Sequence, residues 1–208
     1  MPDDLTKAQR PTPCSAFAEV APDGLFERPG VIRLRDPGHR PKTLLRGRPS
    51  PEWRAAAAGV LGVAPPEQAD TPARSPVADI LWLGPDEWLV LGSGPGSLAP
   101  ALLRAGLAAA EVGDGLPDLE LSGPRVREVL AGGTALDLHP SAFPANWATR
   151  TRLGRIGILL QRAEDARINS HDGPVFRLHV ERSWAGYLWS WLADAALDHP
   201  SNDESFPR

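Results

Sequence analysis

The chain has few of the residues that carry covalent or metal chemistry. Its 208 residues include one cysteine, Cys14, so an internal disulfide is excluded, and no lysine or histidine lies beside this thiol to activate it. The five histidines show no zinc-binding spacing. The glycine-rich loop at 92–96 lacks the spacing of a phosphate loop or a dinucleotide fingerprint. We therefore assign no catalytic, cofactor-binding or metal-binding residue from sequence.

Excess positive charge and long apolar runs are also lacking. The formal net charge is −4, which argues against general nucleic-acid or anionic-membrane partners. No apolar run approaches the roughly 20 residues that a membrane-spanning helix needs. The first residues, Met1-Pro2-Asp3-Asp4, are acidic rather than apolar, so no signal peptide is expected. With one cysteine, the composition favours a cytoplasmic protein.

Proline is abundant, with 23 residues that divide the chain into short elements. Residues 1–29 are polar and show no periodicity, which predicts a flexible proline-rich arm. Residues 30–197 are predicted to form one α+β domain, and the polar residues 198–208 a disordered tail.

Hydrophobic periodicity predicts an alternation of hairpins and helices within that domain. Apolar runs at 80–83 and 88–91 are joined by a proline turn, which indicates a hairpin, and a helix is predicted over 97–110. A strand and a capped helix follow, then a second hairpin over 156–161 and 176–181, then a final helix. This order predicts an α+β fold of mostly antiparallel sheet with helices on one face and repeated β-β-α units.

Two of these elements carry specific expectations about their faces. The polar residues Arg177 and His179 of the last strand are predicted to face solvent or an interface. In the final helix, Trp184 and Trp191 are assigned to the apolar stripe. Trp189 falls off that stripe and is predicted to face a partner.

Residues 30–54 form a locally basic run in an acidic protein. A docking strip for an acidic partner and an ordinary solvated surface are equally compatible with this pattern. The candidate interface residues in the run are Arg33, Arg35, Arg40, Arg46 and Arg48.

Asp137 and His139 stand two residues apart before Pro140, where the backbone is biased to be extended. On an extended chain such side chains project side by side, so a structural role is favoured over a catalytic pair.

Segments of the chain resemble a known family. Leu121-Ser122-Gly123-Pro124-Arg125 opens one of them, and Leu136-Asp137-Leu138-His139-Pro140 follows. In order and spacing, six segments resemble the sarcosine oxidase gamma subunit family: 82–90, 121–130, 136–144, 151–154, 158–160 and 180–189. The resemblance is best over 78–196.

The resemblance implies a fold similar to the folate-binding domain of glycine-cleavage aminomethyltransferases. It also implies a noncatalytic structural subunit of an αβγδ complex that oxidises sarcosine. The products are glycine, hydrogen peroxide and methylenetetrahydrofolate, or formaldehyde without folate. FAD, FMN, NAD, tetrahydrofolate and zinc are expected on the alpha, beta and delta partner subunits. Fold kinship alone warrants no activity.

Two alternatives remain open. The chain could be a gamma-like subunit of a related oxidase or dehydrogenase of another N-methyl amino acid. It could also be a free-standing folate-binding one-carbon protein, although no recognisable folate-binding acid occurs in the sequence.

Overall fold

The computed structural model describes residues 15–68, 73–163 and 173–201, and Cys14 lies outside them. Two antiparallel sheets organise this part of the chain. The first has six strands in the order β1-β2-β8-β11-β10-β9, and the second has five in the order β4-β5-β6-β3-β7.

The six-stranded sheet gathers strands from both ends of the chain. Its central strand pairs, β2 with β8 and β8 with β11, join segments far apart in sequence. The strands are β1 (Leu25–Arg28), β2 (Ile32–Arg35), β8 (Asp118–Ser122), β9 (Ala148–Leu153), β10 (Ile156–Arg162) and β11 (Phe176–His179).

The five-stranded sheet is built around the predicted hairpin. That hairpin is β5 (Ala78–Gly84) paired with β6 (Glu87–Gly92), with a register irregularity near its turn. The other strands are β3 (Lys42–Arg46), β4 (Ala73–Arg74) and β7 (Ala108–Glu111).

In the part of the chain that the structure describes, four α-helices cover the outer faces of the two sheets. They are α1 (Pro51–Leu61), α2 (Ala99–Arg104), α3 (Val126–Ala131) and α4 (Ala185–Leu197). Helices α3 and α4 pack on the six-stranded sheet, and α1 and α2 pack on the five-stranded sheet. Within the described residues, no helix is both long enough and apolar enough to span a membrane.

The inner faces of the two sheets meet each other. Because strand residues alternate between faces, Trp88 and Val90 of β6 point to the helices, whereas Leu89 and Leu91 point inward. Leu89 and Leu91 pack with Leu159 of β10 in a small apolar cluster that joins the sheets. Each sheet therefore has helices on one face and the other sheet on its opposite face.

The predicted arm is wrong for its residues 15–29. Phe17 is fully buried in the main core, and Leu25–Arg28 pairs with β2 along its whole length. Burial of the Phe17 ring and pairing with β2 hold this segment in place, although its composition is polar. Residues 1–14 lie outside the described part.

The predicted helix over 97–110 is also wrong at its C-terminal end. Helix α2 ends at Arg104, and Gly106 takes a left-handed φ of 78° that turns the chain into β7. Glycine adopts such a φ without steric cost, so it ends the helix where the apolar periodicity continues.

At the other end, the predicted disordered tail is wrong at His199. The His199 carbonyl accepts hydrogen bonds from the Arg28 guanidinium at 3.0 and 2.9 Å. Residues 202–208 lie outside the described part.

Candidate functional site

Most of the predicted basic strip is bound within the chain itself. Arg35 pairs with Glu120, Arg40 with Asp118 at 3.3 Å, and Arg46 with Glu87 at 2.7 Å. These arginines belong to different sheets, since Arg35 lies on β2 and Arg46 on β3. They do not form one continuous strip.

The two remaining candidates are Arg33 and Arg48. Arg33 lies 4.0 Å from Glu27 across the β1–β2 pair, with both side chains about half exposed. Arg48 is exposed beyond the end of β3. A contact of Arg33 or Arg48 with a partner subunit stays a prediction.

The most unusual site in the described residues is a set of charges buried between the sheets. We call Arg40, Lys42, Asp118, Gln161 and His179 the inter-sheet charge cluster. Lys42 Nζ of the five-stranded sheet lies 2.6 Å from Asp118 Oδ1 of the six-stranded sheet, and neither side chain is more than 1% exposed. Sequence reasoning missed this pair, because the two residues are far apart in the chain and meet only when the sheets pack.

The Asp118 carboxylate is held ionised by its neighbours. Burial by itself raises the pKa of Asp118, but the positive charges of His179 (when protonated), Lys42 and Arg40 lower it to about 2. At neutral pH the lysine and the arginine carry this effect, since His179 is then uncharged.

The His179 imidazole is enclosed and neutral. Burial lowers its pKa to about 3; the Asp118 charge opposes this shift, and the charges of Lys42, Arg40 and Arg177 add to it. Its Nε2 lies 3.3 Å from Gln161 Oε1. The prediction that this strand face is wet is wrong at His179, because the second sheet covers it.

A second carboxylate on the same face is shared by two arginines. Cross-strand register places Glu120 opposite Arg35 of β2 and Arg177 of β11. Arg177 Nε lies 3.2 Å from Glu120 Oε1, and the Arg35 guanidinium contacts Oε2.

Another ion pair joins the sheets near the β5–β6 turn. Glu87 of β6 accepts from Arg46 of its own sheet at 2.7 Å and from Arg150 of β9 at 2.8 Å. Burial raises the pKa of Glu87, and the hydrogen bonds from both arginines outweigh this and lower it. The Lys42–Asp118 and Arg150–Glu87 ion pairs therefore bind the two sheets to each other.

Trp189 does not face outward as predicted. It is 4% exposed and its ring centroid lies 5.7 Å from that of Phe17, whereas Trp184 is 48% exposed. Apolar residues surround most of α4, so the sequence pattern did not determine which face is buried. The buried stripe is Ala185, Leu188, Trp189, Leu192 and Ala196.

Asp137 and His139 form a local turn. Asp137 Oδ1 accepts from the backbone N–H of His139 at 2.9 Å, and His139 Nδ1 lies 2.7 Å from Ser141 Oγ. Both residues are exposed. The turn replaces the extended backbone expected from sequence, and the structural role of the two residues stays a prediction. In the described residues, no group of three His, Cys, Asp or Glu side chains has a metal-binding arrangement.

Comparison with known proteins gives the family. The sequence matches the family described as "Sarcosine oxidase, gamma subunit family" over residues 47–198. The chain belongs to the sarcosine oxidase gamma subunit family. This confirms the family suggested by the sequence motifs, and the match begins earlier than the segment 78–196.

Relatives named as gamma subunits match most of the chain. It is 35% identical over 197 residues to "Sarcosine oxidase subunit gamma" of Corynebacterium sp. (strain P-1), covering 92% of each chain. It is 35% identical over 158 residues to the subunit of that name from Arthrobacter sp, covering 74% of this chain and 77% of the relative.

A solved structure matches at the level of the fold. It is titled "Heterotetrameric Sarcosine Oxidase from Corynebacterium sp. U-96 in complex with pyrrole 2-carboxylate". The TM-score is 0.76 at 26% identity, over 91% of this chain and 95% of the matched chain. The predicted α+β class with antiparallel sheets is confirmed. Kinship with the aminomethyltransferase fold stays a prediction.

Proposed function

We propose that this chain is a noncatalytic, structural gamma subunit of a heterotetrameric sarcosine oxidase. The observation that carries the proposal is the fold match to a chain of such a heterotetramer over nearly the full length of both chains. Gamma subunits that match 92% and 74% of this chain support the same role.

The chemistry of the described residues supports a structural role. The buried charges Lys42, Asp118 and Glu120 are taken up by ion pairs inside the chain, and burial keeps His179 neutral. A general base or nucleophile needs a free group aimed at a substrate. The Lys42–Asp118 pair instead joins the two sheets, and the partners of Glu120 lie on neighbouring strands of its own sheet.

In this proposal the alpha, beta and delta subunits are the partners and carry the chemistry. FAD, FMN, NAD, tetrahydrofolate and zinc are assigned to those subunits. The complex oxidises the N-methyl group of sarcosine: sarcosine, oxygen and water give glycine, formaldehyde and hydrogen peroxide. With tetrahydrofolate present, the one-carbon unit leaves as methylenetetrahydrofolate.

The test is co-purification of the tagged chain from its native host. We expect yellow, flavin-bearing partner subunits in equal amounts and sarcosine-dependent hydrogen peroxide formation by the complex. If the complex is inactive on sarcosine but oxidises another N-methyl amino acid, the chain is a gamma-like subunit of the related oxidase or dehydrogenase. A solitary, colourless chain would overturn the proposal.

Titration of the isolated chain with tetrahydrofolate addresses the remaining alternative. Heat of binding at micromolar ligand, together with a solitary chain, would indicate a free-standing folate-binding one-carbon protein. We expect no heat from recognition of the pterin ring at micromolar ligand, because the most buried carboxylates of the described residues, Asp118 and Glu120, already bind cationic partners.

A further inference from the structure

A cavity of about 540 Å³ opens beside the inter-sheet charge cluster. Three arginines from three segments line it: Arg40, Arg74 of β4 and Arg177 of β11. We call this cavity the arginine cleft. Its volume lies within the range of about 300–1,000 Å³ that is typical of small-ligand sites.

The wall of the cleft includes the glycine-rich loop that follows β6. Gly92, Ser93 and Gly94 line the cleft, and a Cβ atom added at Gly94 would meet no atom within 4 Å. The space at Gly94 is therefore open. No binding role is assigned to this loop from sequence because it lacks a nucleotide motif, but the fold places it in the wall of the cavity that the three arginines also line.

Positive charge exceeds negative charge at this place. Asp79 is the one carboxylate among the described lining residues. It pairs at 2.6 Å with Arg74, which also donates to Asn146 at 3.0 Å. Arg40 reaches Asp118, which Lys42 already binds more closely.

The remaining arginine of the cleft also shares its carboxylate. Arg177 shares Glu120 with Arg35. Four cations, Arg35, Arg40, Lys42 and Arg177, are thus met by the two carboxylates Asp118 and Glu120.

The surplus charge is partly enclosed and therefore costly. The Arg177 side chain is 14% exposed. Burial lowers its pKa, and the positive charge of Arg40 lowers it further, whereas Glu120 and Asp118 oppose the shift. A bound anion would relieve the repulsion between the two guanidinium groups.

We propose that the arginine cleft binds a small multivalent anion whose carboxylate or phosphate oxygens are held by Arg40, Arg74 and Arg177. Guanidinium groups form paired, charge-assisted hydrogen bonds to such oxygens. The concave shape between two sheets favours a small ligand over a protein surface. The site is a property of this chain and does not require the proposed assembly.

The test is calorimetric titration of the full chain, or of the complex in which it co-purifies, with citrate and with inorganic phosphate. Ionic strength is held constant with sodium chloride. We expect saturable binding of at least one of the two anions, and the stronger of them identifies carboxylate or phosphate as the preferred group.

Two substitutions probe opposite sides of the cleft. Arg177→Lys keeps the positive charge beside Glu120 but removes the fork, and Arg74→Gln removes a charge remote from Lys42. Each should weaken binding about tenfold or more, since hydrogen bonds to charged groups are among the strong ones. Arg48→Gln is the matched control, because Arg48 is exposed beyond the opposite end of β3 from Lys42.

Melting curves establish that each variant is folded. The absence of saturable heat with both anions would overturn the proposal, as would equal affinities in wild type, Arg177→Lys and Arg74→Gln. Binding by the free chain that disappears in the assembled complex would also overturn it, and would assign these arginines to acidic side chains of a partner subunit.

Discussion

The Lys42 ammonium group is fully buried, and a single carboxylate compensates its charge. Asp118 lies 2.6 Å away and is also bound by Arg40. Replacing Lys42 by methionine leaves the Asp118 charge buried with a single, more distant cation. We expect Lys42→Met to lower the free energy of unfolding by about 3–5 kcal/mol, measured by urea denaturation.

The matched control removes both charges of this pair. In Lys42→Met/Asp118→Leu neither buried charge of this pair remains, so we expect the double variant to be more stable than the single one. A double variant as unstable as the sum of the two single variants would show that the ion pair contributes no coupling.

The burial of His179 predicts that the free energy of unfolding falls as the pH is lowered below 6.5. Its pKa falls from 6.5 to about 3 on folding, so between these values the unfolded chain binds the extra proton. Stability is therefore full above pH 6.5 and falls towards pH 3, at up to about 1.4 kcal/mol per pH unit. His179→Gln should remove this slope, measured by urea denaturation from pH 7.5 to 4.5.

The titration of Asp118 lies below the pH range of this experiment. Its contribution is present above pH 3.8 and is lost only as the pH falls towards 2. His139→Gln is the control, since His139 is exposed and should leave the profile unchanged. An unaltered slope in His179→Gln would show that the imidazole is not buried in its neutral form.

At the scale of elements, helix α4 depends on the tryptophan that the sequence assigned outward. Trp189 packs against Phe17 in the core, whereas Trp184 is about half exposed and contacts Tyr187 edge-on. We expect Trp189→Ala to cost about 3–5 kcal/mol and Trp184→Ala about 0.5 kcal/mol or less, measured by thermal and urea unfolding. The opposite order would mean that α4 buries the face predicted from sequence.

Sequence patterns identified the elements with strong local signals. The β5–β6 hairpin has two apolar runs and a proline turn. The short strands β1, β3 and β7 carry little periodicity. They are ordered by long-range pairing, which a local pattern does not contain.

The same reason explains why the candidate sites were missed. Asp118 and Glu120 alternate with Leu119 and Leu121, so a buried and a polar face could be predicted for β8. The contact between this polar face and Lys42 of the other sheet could not be predicted in this way. The arginine cleft likewise joins Arg40, Arg74 and Arg177, which share no sequence motif.

At the scale of the whole molecule, the contacts between the two sheets predict that the sheets unfold together. Leu89 is fully buried and packs with Leu159 across the interface, between the ion pairs of Lys42 and of Glu87. We expect the slowest-exchanging amides of both sheets to share one free energy of opening in hydrogen-exchange measurements. Leu89→Ala should lower it in both sheets equally, by about 2–5 kcal/mol.

The exposed Leu103 of α2 provides the control for this substitution. Its side chain is 54% exposed, so Leu103→Ala should leave protection in both sheets nearly unchanged. If Leu89→Ala lowers protection in the five-stranded sheet alone, the sheets are independent folding units. Lys42 and Asp118 would then hold together two domains rather than complete one core, and the inter-sheet charge cluster would be a domain interface.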